Sequence, residues 1–324
     1  MKKNRKENIL ITGGSGFIGR HISKLYLDKN YRLKNLDLVE CSELDIYPNY
    51  TFIKEDIRKY GRIEKYFKNV DCVIHLAMIN GTENFYIKPV DILEIASLGV
   101  LNVCKLCEKY KIKKLIIFSS SEVYNQSKKI PTNEKVEIKI PAIDNPRFSY
   151  SGGKIFSELL GLNYAYEKRI NKVVIVRPHN VYGPNMGYGH VIPQLYQKIS
   201  NMIKKYNNKI KIKLIGDGNE IRSFIYIEDF ISAFYKVFLK GKNREIYNIG
   251  NNEPIKIKQI LNIYSKNFKN KILFKKSNPH KGGPKKRCPE IKKIIKLGYK
   301  KRFDINKGIK NYILYENTKE QNKF

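Results

Sequence analysis

Short apolar runs alternate with amphipathic segments along the first half of the chain. Apolar and β-branched runs predict strands at Asn8–Thr12, Arg32–Val39, Tyr50–Ile53, Asp71–Leu76, Lys114–Phe118 and Lys172–Arg177. Apolar residues at helical spacing predict helices at Phe17–Asp28, Lys59–Lys68, Pro89–Tyr110 and Tyr150–Glu167. Strands that alternate with helices are typical of an α/β fold with a doubly wound parallel sheet, in which ligands bind at the carboxyl ends of the strands.

The regular alternation of predicted strands and helices ends after Arg177. Prolines and glycines interrupt residues 178–193. Beyond them the sequence predicts a helix at roughly Ile192–Tyr206, a strand at Ile221–Ile227 and a helix at Asp229–Leu239. From Ile255 onward we expect short, lysine-rich elements, with Glu316–Phe324 frayed. This predicts a first domain of residues 1–177, with a return segment at about 225–248, and a smaller α/β domain of residues 178–224 and 249–324.

A glycine-rich turn joins the first predicted strand to the first helix. Gly13 allows a tight turn, Gly16 lets a phosphate approach the backbone, and Gly19 lets the helix pack closely on the strand. The N-terminus of the helix then faces the negative phosphates. Asp37, 18 residues beyond Gly19, lies near the end of the second strand, where its carboxylate can accept from ribose hydroxyls and repel a 2′-phosphate. This arrangement predicts a dinucleotide site that prefers NAD to NADP.

Two further strand ends are expected at the cofactor. Asp56 and Ile57 follow the third strand and are expected at the adenine, although Asp56 could equally cap a helix. His75-Leu76-Ala77 ends the fourth strand, with His75 in a structural role rather than as a base or metal ligand. No second histidine stands at metal-ligand spacing from His75, so we predict no metal site.

Tyr150 and Lys154 stand four residues apart in a predicted helix, so the phenol and the ammonium share one face. A nearby ammonium stabilises a phenolate, which predicts a lowered pKa for Tyr150 and a role as general base. The fifth strand runs into Ser119, Ser120 and Ser121, whose hydroxyls can hydrogen-bond a reacting oxygen.

Composition narrows the class of protein. The 324 residues are 42% hydrophobic and 12% aromatic, which is typical of a globular protein. The formal net charge of +33 suits a phosphate-bearing ligand and is heaviest in the second half. However, 51 of the 63 basic residues are lysine, whereas proteins that read nucleic acids rely on arginine. We therefore expect no nucleic-acid partner.

The cysteines and apolar segments bear on the compartment. The five cysteines show no disulfide or zinc framework, and Cys104 and Cys107 lie inside a predicted helix, so we expect reduced thiols. No apolar run reaches the roughly 18 residues of a membrane span, and the N-terminus is unlike a signal peptide. These features predict a cytoplasmic protein without a membrane partner.

Seven motifs stand in order along the chain. They are T-G-x-x-G-x-x-G at Thr12–Gly19, H-L-A at His75–Ala77, S-S-S-x-V-Y at Ser119–Tyr124, Y-x-x-x-K at Tyr150–Lys154, R-P-x-N-V-Y-G-P at Arg177–Pro184, G-D-G-x-x-x-R at Gly216–Arg222 and R-x-P-E-I-K-K at Arg287–Lys293. Together they resemble the extended short-chain dehydrogenase/reductases, in the branch of NAD-dependent nucleotide-sugar epimerases and dehydratases. The resemblance covers about residues 8–303 and implies a Rossmann-type NAD domain with a smaller domain for the nucleotide-diphosphate sugar.

The resemblance implies a role for each matching residue. Tyr150 takes the proton of the sugar 4-hydroxyl, Lys154 supports its phenolate and Ser120 binds the reacting oxygen, while hydride passes from C4 to NAD. The implied cofactor-binding residues are Gly13, Gly16, Phe17, Ile18, Gly19, Asp37, Asp56, Ile57, Leu76, Ala77, Ser119, Tyr150, Lys154 and Pro178. The implied substrate-binding residues are Ser120, Ser121, Glu122, Asn180, Val191, Arg222 and Arg287, with Asn180 and Arg222 at the phosphates.

Glu122 does not decide which reaction follows the oxidation at C4. It resembles a catalytic glutamate of dehydratases and sugar-acid decarboxylases, yet dTDP-glucose-type dehydratases carry an aspartate where Ser121 stands, and a glutamate here can also cap the turn. We expect a nucleotide-sugar epimerase acting at C4 through a 4-keto intermediate. The alternatives are a 4,6-dehydratase, a UDP-hexuronate decarboxylase and a non-catalytic dinucleotide-binding protein. Relatives often dimerise through two long helices, here Pro89–Tyr110 and Tyr150–Glu167, so we expect a homodimer.

Overall fold

The chain forms two compact units in a computed structural model that describes residues 6–204, 209–278 and 283–321. Unit 1 comprises Met1–Val123, Lys139–Pro178 and Phe234–Tyr247, and unit 2 comprises Tyr124–Ile138, His179–Ala233 and Asn248–Phe324. Apart from one-residue shifts at Pro178 and Asn248, this division differs from the sequence-based one in two places. Residues 124–138 belong to unit 2 instead of the first domain, and the return segment begins at Phe234 instead of about 225.

A seven-stranded sheet dominates unit 1. Numbered along the whole chain, its strands are β1 (Asn8–Thr12), β2 (Arg32–Asp37), β3 (Tyr50–Lys54), β4 (Cys72–His75), β5 (Lys114–Phe118), β6 (Val173–Pro178) and β11 (Glu245–Ile249). They lie in the order β11-β6-β5-β4-β1-β2-β3, and the pairings among β1 to β6 are all parallel. The strand order reverses between β1 and β4, which is where open α/β sheets bind their ligands. The predicted α/β fold with a doubly wound parallel sheet is confirmed.

The helices between these strands are α1 (Phe17–Asp28), α2 (Tyr60–Ile63), α3 (Asn84–Ile87), α4 (Pro89–Glu94), α5 (Val100–Lys109) and α6 (Phe148–Tyr166). The predicted long helix Pro89–Tyr110 is not uniform, because a π-helical segment, Ile95–Gly99, separates α4 from α5. The predicted helix Lys59–Lys68 is α2 followed by a 3-10 turn at Glu64–Phe67. Other 3-10 turns lie at Ser42–Leu44 and Ser121–Tyr124.

Apolar side chains cover both faces of the sheet. Successive residues of a strand point to opposite faces, yet Ile9, Leu10 and Ile11 are all buried. Leu10 belongs to a core cluster with Val103 and Leu106 of α5, whose neighbours Cys104 and Cys107 are buried free thiols. Such fully buried strands are what a parallel sheet with helices on both faces requires.

Most of the described strands of unit 2 are only two or three residues long. The strands after β6 are β7 (Val181–Tyr182), β8 (Lys209–Ile215), β9 (Ile221–Ser223), β10 (Ile225–Tyr226), β12 (Pro254–Lys256), β13 (Lys271–Ser277) and β14 (Lys286–Arg287), and the helices are α7 (Val191–Ile203), α8 (Ile227–Lys240), α9 (Ile257–Phe268), α10 (Lys292–Lys296) and α11 (Ile305–Gln321). The last residues of α8 belong to unit 1. The small sheets are β12-β9-β14, β10-β7 and β13-β8.

Three expectations for the second half were wrong. The elements after Ile255 are not all short, because α9 has 12 residues and α11 has 17. The single strand predicted at Ile221–Ile227 is two strands, β9 and β10, which break at Phe224 and belong to different sheets. Glu316 is not frayed, because it is buried in α11 and accepts a hydrogen bond from Tyr188 Oη at 2.8 Å. Tyr206, the predicted end of a helix, and residues 322–324 lie outside the described residues.

No helix among the described residues has both the length and the mean hydropathy that crossing a bilayer requires.

Two adjacent glycines of α6 have different surroundings. A Cβ on Gly153 would lie 2.6 Å from the Cβ of Ala96 in the π-helical segment, so this contact requires a glycine on one helix and a small residue on the other. A Cβ on Gly152 would meet only the Cδ1 of Ile140, at 3.6 Å, which is an ordinary contact. The close approach at Gly153 therefore sets the position of α6 against α4 and the π-helical segment.

We expect Gly153→Ala to lower the free energy of unfolding by about 1–3 kcal/mol, because two backbone-bound Cβ atoms would overlap. Gly152→Ala is the matched control and should be neutral or stabilising by up to about 1 kcal/mol, since alanine favours helix over glycine. Urea unfolding of both variants measures the difference. Adding Ala96→Gly to Gly153→Ala should recover part of the loss; equal stability of the two single variants would contradict the close contact.

Candidate active site

The glycine turn between β1 and α1 has the shape of a phosphate cradle. Gly13 has a φ of +76°, and a Cβ there would lie 2.6 Å from the backbone nitrogen of Ala77. A Cβ on Gly19 would lie 2.3 Å from the carbonyl oxygen of Gly13, so both positions require glycine. A Cβ on Gly16 would meet only that carbonyl, at 3.4 Å, which leaves open space over the turn. Phe17 and Ile18 begin α1 with no side-chain cap or acidic residue, so its first N–H groups suit a phosphate.

Asp37 joins this turn to the end of β2. Its Oδ2 accepts a hydrogen bond from the backbone N–H of Ser15 at 3.0 Å. Its Oδ1 accepts from the N–H groups of Leu38 and Val39 at 2.7 and 3.3 Å. These bonds take up the donors that would continue the strand, which is why β2 ends at Asp37 and not at Val39 as predicted. The carboxylate is only partly buried and retains acceptor capacity for ribose hydroxyls.

The residues after β3 and β4 have local structural partners. Asp56 accepts from the backbone N–H of Arg58 at 2.9 Å and pairs with its guanidinium at 2.7 Å. It does not cap a helix, because α2 begins at Tyr60 with Lys59 at its cap. Ile57 is part of the core cluster of unit 1. Leu76 donates its N–H to Thr12 O at 2.9 Å, which holds Leu76 and Ala77 beside the glycine turn.

Two polar groups at the carboxyl ends of β4 and β5, His75 and Ser119, are buried. His75 Nδ1 shares a hydrogen bond with Thr12 Oγ1 at 2.7 Å, and burial, aided by the charge of Lys154, lowers the pKa of His75 to about 3. The ring is therefore neutral at physiological pH, in keeping with a structural role. His75 Nε2 and Ser119 Oγ have no hydrogen-bond partner within the described part of the chain. The open glycine turn, the Asp37 carboxylate and the Ser119 hydroxyl together fit a dinucleotide, with Pro178 at the end of the adjacent β6.

Helix α6 brings the Tyr150 phenol and the Lys154 amine to the carboxyl end of β5. Both side chains are buried, and Lys154 Nζ donates to the carbonyl oxygen of Phe118 at 2.7 Å. Lys154 Nζ lies 5.8 Å from the centroid of the Tyr150 ring, which stacks on Phe85 at 4.7 Å. Ser120 lies close enough to the Tyr150 phenol to lower its pKa, and its Oγ accepts from the Glu122 N–H at 3.2 Å. The structure thus brings together the four residues that the sequence assigned to catalysis, Ser120, Tyr150, Lys154 and Glu122.

The predicted decrease in the pKa of Tyr150 is wrong. Burial raises the pKa of the Tyr150 phenol well above its ordinary value of 10, and the charge of Glu122 acts in the same direction. The effect of Ser120 only partly offsets them. Burial also lowers the pKa of Lys154 to about 7. The spacing of Tyr150 and Lys154 indicates the effect of the ammonium but not the desolvation of both groups, and desolvation dominates here.

Arg147 is a site residue that the sequence analysis missed. It is only 7% exposed, precedes the first residue of α6, and places Nη2 3.4 Å from Oε2 of Glu122. Ser121, between Ser120 and Glu122, is buried. Arg147 stands three residues before Tyr150, a spacing that puts both on one helical face, and this was the available signal.

The buried ion pair of Arg177 and Glu158 was also missed. The Nε and Nη2 atoms of Arg177 donate to Oε1 and Oε2 of Glu158 at 2.8 and 2.5 Å. Glu158 stands four residues beyond Lys154 on α6, and all three charged side chains are buried. The spacing of Glu158 from Lys154 was again a signal, whereas its pairing with Arg177 required the fold.

Unit 2 places two of the expected substrate residues side by side. Arg222 on β9 and Arg287 on β14 are register partners in parallel strands. The Arg222 guanidinium donates to the carbonyl oxygens of Pro284 and Lys285 at 2.6 and 3.3 Å, which fixes its orientation. Asn180 Nδ2 donates to the carbonyl oxygen of Ser223, at the end of the same β9 strand, at 2.8 Å. Val191 is on a different element, as the first residue of α7.

The described residues contain no group of three or more His, Cys, Asp or Glu side chains that could hold a metal ion.

The chain is similar to known nucleotide-sugar enzymes. It is 32% identical over 313 residues to a putative UDP-glucose 4-epimerase of Methanocaldococcus jannaschii, covering 94% of this chain and 97% of that protein. It is 33% identical over 286 residues to the dTDP-D-glucose 4,6-dehydratase of Dictyostelium discoideum, covering 79% of this chain and 62% of that protein. The solved UDP-glucose 4-epimerase of Thermotoga maritima, with UDP-glucose, matches 97% of this chain and 99% of its own with a TM-score of 0.84 and 25% identity.

The family assignment rests on most of the chain. Residues 9–250 match the model of the NAD dependent epimerase/dehydratase family, a span that includes the glycine turn, Tyr150, Lys154 and Arg222. The cofactor is NAD, which agrees with the open cradle over Gly16 and the position of Asp37. The chain belongs to the NAD-dependent epimerase/dehydratase family of nucleotide-sugar enzymes.

Proposed function

We propose that the protein is an epimerase that inverts C4 of a nucleoside-diphosphate hexose through a 4-keto intermediate. The observation that carries this proposal is the buried Tyr150 phenol at the end of β5, with Lys154 Nζ 5.8 Å from its ring and Ser120 close enough to lower its pKa. Bound NAD supplies a hydride acceptor and donor for C4. The residues of this chain then have to manage the proton on O4 and the orientation of the sugar.

Tyr150 is the group that exchanges this proton. In the oxidation it takes the proton of the 4-hydroxyl, and in the reduction it returns a proton to O4. Because burial disfavours the phenolate, the oxidation depends on partners that offset its charge, namely the Lys154 ammonium and the Ser120 hydroxyl. Ser120 accepts from the Glu122 N–H, so its own proton is free to point to Tyr150 or to O4.

The surroundings of Glu122 favour epimerisation over dehydration. Loss of water across C5 and C6 requires a base at C5 and an acid for the departing hydroxyl. The carboxylate of Glu122 is paired with Arg147 at 3.4 Å, and this opposite charge makes it a poorer base for C5. The adjacent residue is Ser121, which offers a hydroxyl in place of a carboxylic acid.

A 4,6-dehydratase is the second candidate. The observation that favours it is the effect of Glu122 on Tyr150, which shows that the carboxylate lies close enough to the phenol to act on it electrostatically. A carboxylate this near the reacting oxygen is suitably placed for C5 chemistry if the pair with Arg147 opens.

The nucleotide diphosphate is proposed to bind at the paired arginines of unit 2. Adjacent guanidinium groups on β9 and β14 match the charge and the bidentate geometry of phosphate oxygens. Asn180 adds an amide beside the same strand. The strongly basic composition of the chain attracts such an anion over a longer range.

A homodimer is proposed on an exposed apolar surface of unit 1. We call it the α4/α6 face; it comprises the exposed side chains of Val90, Leu93, Leu98, Phe156, Leu159 and Tyr166. The helices α4 and α6 pack against each other, so these side chains form adjacent stripes. Apolar side chains grouped in this way are typical of a protein interface.

Product analysis in heavy water distinguishes the two reactions. The purified protein is incubated with UDP-, GDP-, CDP- and dTDP-hexoses. The products are then separated by chromatography, and their molecular masses are measured by mass spectrometry. C4 epimerisation gives an isomer without solvent deuterium, because the hydride returns internally. We expect this result in wild type, and we expect Glu122→Gln to retain turnover to within about tenfold. A product lighter by one water, lost in Glu122→Gln, would replace the epimerase with the dehydratase.

Tyr150→Phe should lower turnover by about 10²–10⁴-fold, because the proton of O4 loses its acceptor. The matched control is Tyr166→Phe, an exposed tyrosine on the same helix, which should keep full activity. Fluorescence titration with NADH should show cofactor binding in both variants. Wild-type turnover in Tyr150→Phe would refute the catalytic assignment.

Leu159→Lys should convert the protein to a monomer of 38.0 kDa, because it places a charge within the α4/α6 face. Leu314→Lys, an exposed leucine of α11, is the control and should leave the dimer intact. Light scattering after size exclusion measures the mass of each. A wild-type protein that is itself monomeric would refute the dimer.

A further inference from the structure

An ion pair lies inside unit 1, on the same helix as the catalytic lysine. Glu158 and Arg177 are 4% and 1% exposed, and two parallel hydrogen bonds of 2.8 and 2.5 Å join the guanidinium to the carboxylate. The bidentate geometry fixes the plane of the carboxylate. Glu158 stands one helical turn after Lys154, which is 3% exposed.

Such a pair is a poor way to stabilise a fold. Removing two charges from water costs several kcal/mol per ion, and well-packed apolar residues of similar volume often serve as well or better. The rest of this interior follows that rule, since Ile175 and Val176, immediately before Arg177 on β6, are buried and apolar. The charges of Glu158 and Arg177 are therefore expected to act on a third group.

Lys154 is that group. Around it lie the carbonyl oxygen of Phe118 from β5, the neutral ring of His75 from β4, and, on its own helix, Tyr150 and Glu158. Among these groups Glu158 is the one that carries a negative charge at neutral pH while Tyr150 is protonated. Burial lowers the pKa of Lys154 to about 7, and the charge of Glu158 acts in the opposite direction.

We propose that Glu158, clamped by Arg177, is a positioning residue that keeps the Lys154 amine protonated for its work beside Tyr150. The inference rests on the proposed catalytic role of Tyr150 and Lys154. Arg177 contributes by fixing the Glu158 carboxylate through two parallel hydrogen bonds, which hold its charge at a set position on the helix face of Lys154. The three side chains carry one net positive charge, which a phenolate on Tyr150 balances.

The titration of Lys154 tests this directly. Lysine labelled with ¹³C at Cε gives a signal for each amine, and the Lys154 signal is the one missing in Lys154→Arg. In wild type the ammonium should lose its proton as the pH rises through about 7. In E158L/R177M, which replaces the pair with apolar side chains, the midpoint should fall by about one pH unit, a tenfold loss of proton affinity.

The chain offers a matched control. Arg169 and Glu108 form a pair with the same bidentate geometry, both bonds at 2.8 Å, but on the surface of unit 1. E108L/R169M should leave the Lys154 midpoint unchanged. If E158L/R177M does not fold, as judged by circular dichroism, Glu158→Gln removes the charge with little change in shape and should also lower the midpoint.

The outcomes separate this inference from the proposed function. A folded E158L/R177M protein with an unchanged Lys154 midpoint overturns the role of Glu158, whatever its activity. A lowered midpoint together with full activity of Tyr150→Phe supports the role of Glu158 and rejects the catalytic assignment. If Glu158 supports Lys154 and Tyr150 is catalytic, turnover plotted against pH should begin to fall at a lower pH in E158L/R177M than in wild type. KM should be nearly unchanged.

Discussion

The site depends on a lysine ammonium enclosed in the apolar interior of unit 1. Helix α6 turns Tyr150, Lys154 and Glu158 inward at one-turn spacing, toward strands whose side chains are almost all apolar. A charge in such a place is tolerated only where hydrogen bonds and opposite charges surround it. The carbonyl oxygen at the end of β5 and the Glu158–Arg177 pair meet that requirement, and the neutral ring of His75 adds no second positive charge.

Small residues make this arrangement possible. A Cβ on Gly161 would lie 2.3 Å from Cδ1 of Ile117, and one on Gly153 would lie 2.6 Å from the Cβ of Ala96. These contacts let α6 lie close to β5 on one side and to the π-helical segment on the other. Lys154 reaches the carbonyl oxygen of Phe118 because of that close approach. The glycines of α6 therefore determine the geometry of the site, although none of them takes part in its chemistry.

The sequence predicted best where local pattern alone decides the structure. The bounds of β1, α1 and β5 were predicted to the residue, since each is a distinct apolar or amphipathic segment next to a turn. The prediction of β2 failed by two residues because a side chain, Asp37, takes the backbone donors that would extend it. The π-helical segment arises where the helix packs on α6, and its residues carry no mark of it in their spacing.

In the candidate site too, local pattern predicts some features and tertiary contacts decide the others. Ser120, Tyr150 and Lys154 could be found from spacing and motif, and the structure brings them together. The pKa of Tyr150 could not be predicted in direction, because it depends on how completely the fold removes water from the phenol. Arg147 and Arg177 were missed for a related reason. Their partners, Glu122 and Glu158, are 25 and 19 positions away in sequence, so only the tertiary structure pairs the charges.

The two buried arginines act on the phenol in complementary ways. An unpaired Glu122 carboxylate would oppose the phenolate of Tyr150, and Arg147 offsets this charge at 3.4 Å. Glu122 meanwhile donates its backbone N–H to Ser120, which leaves the hydroxyl proton of Ser120 for the phenol or for the sugar oxygen. Glu122 thus orients the Ser120 hydroxyl through its main-chain N–H, while Arg147 offsets the charge of its side chain. One helical turn beyond Lys154, Glu158 supports the ammonium of Lys154, and Arg177 holds Glu158 in place. Glu122 and Glu158 are therefore each paired with an arginine, so that the phenol meets the net positive charge of Lys154 when it has to ionise.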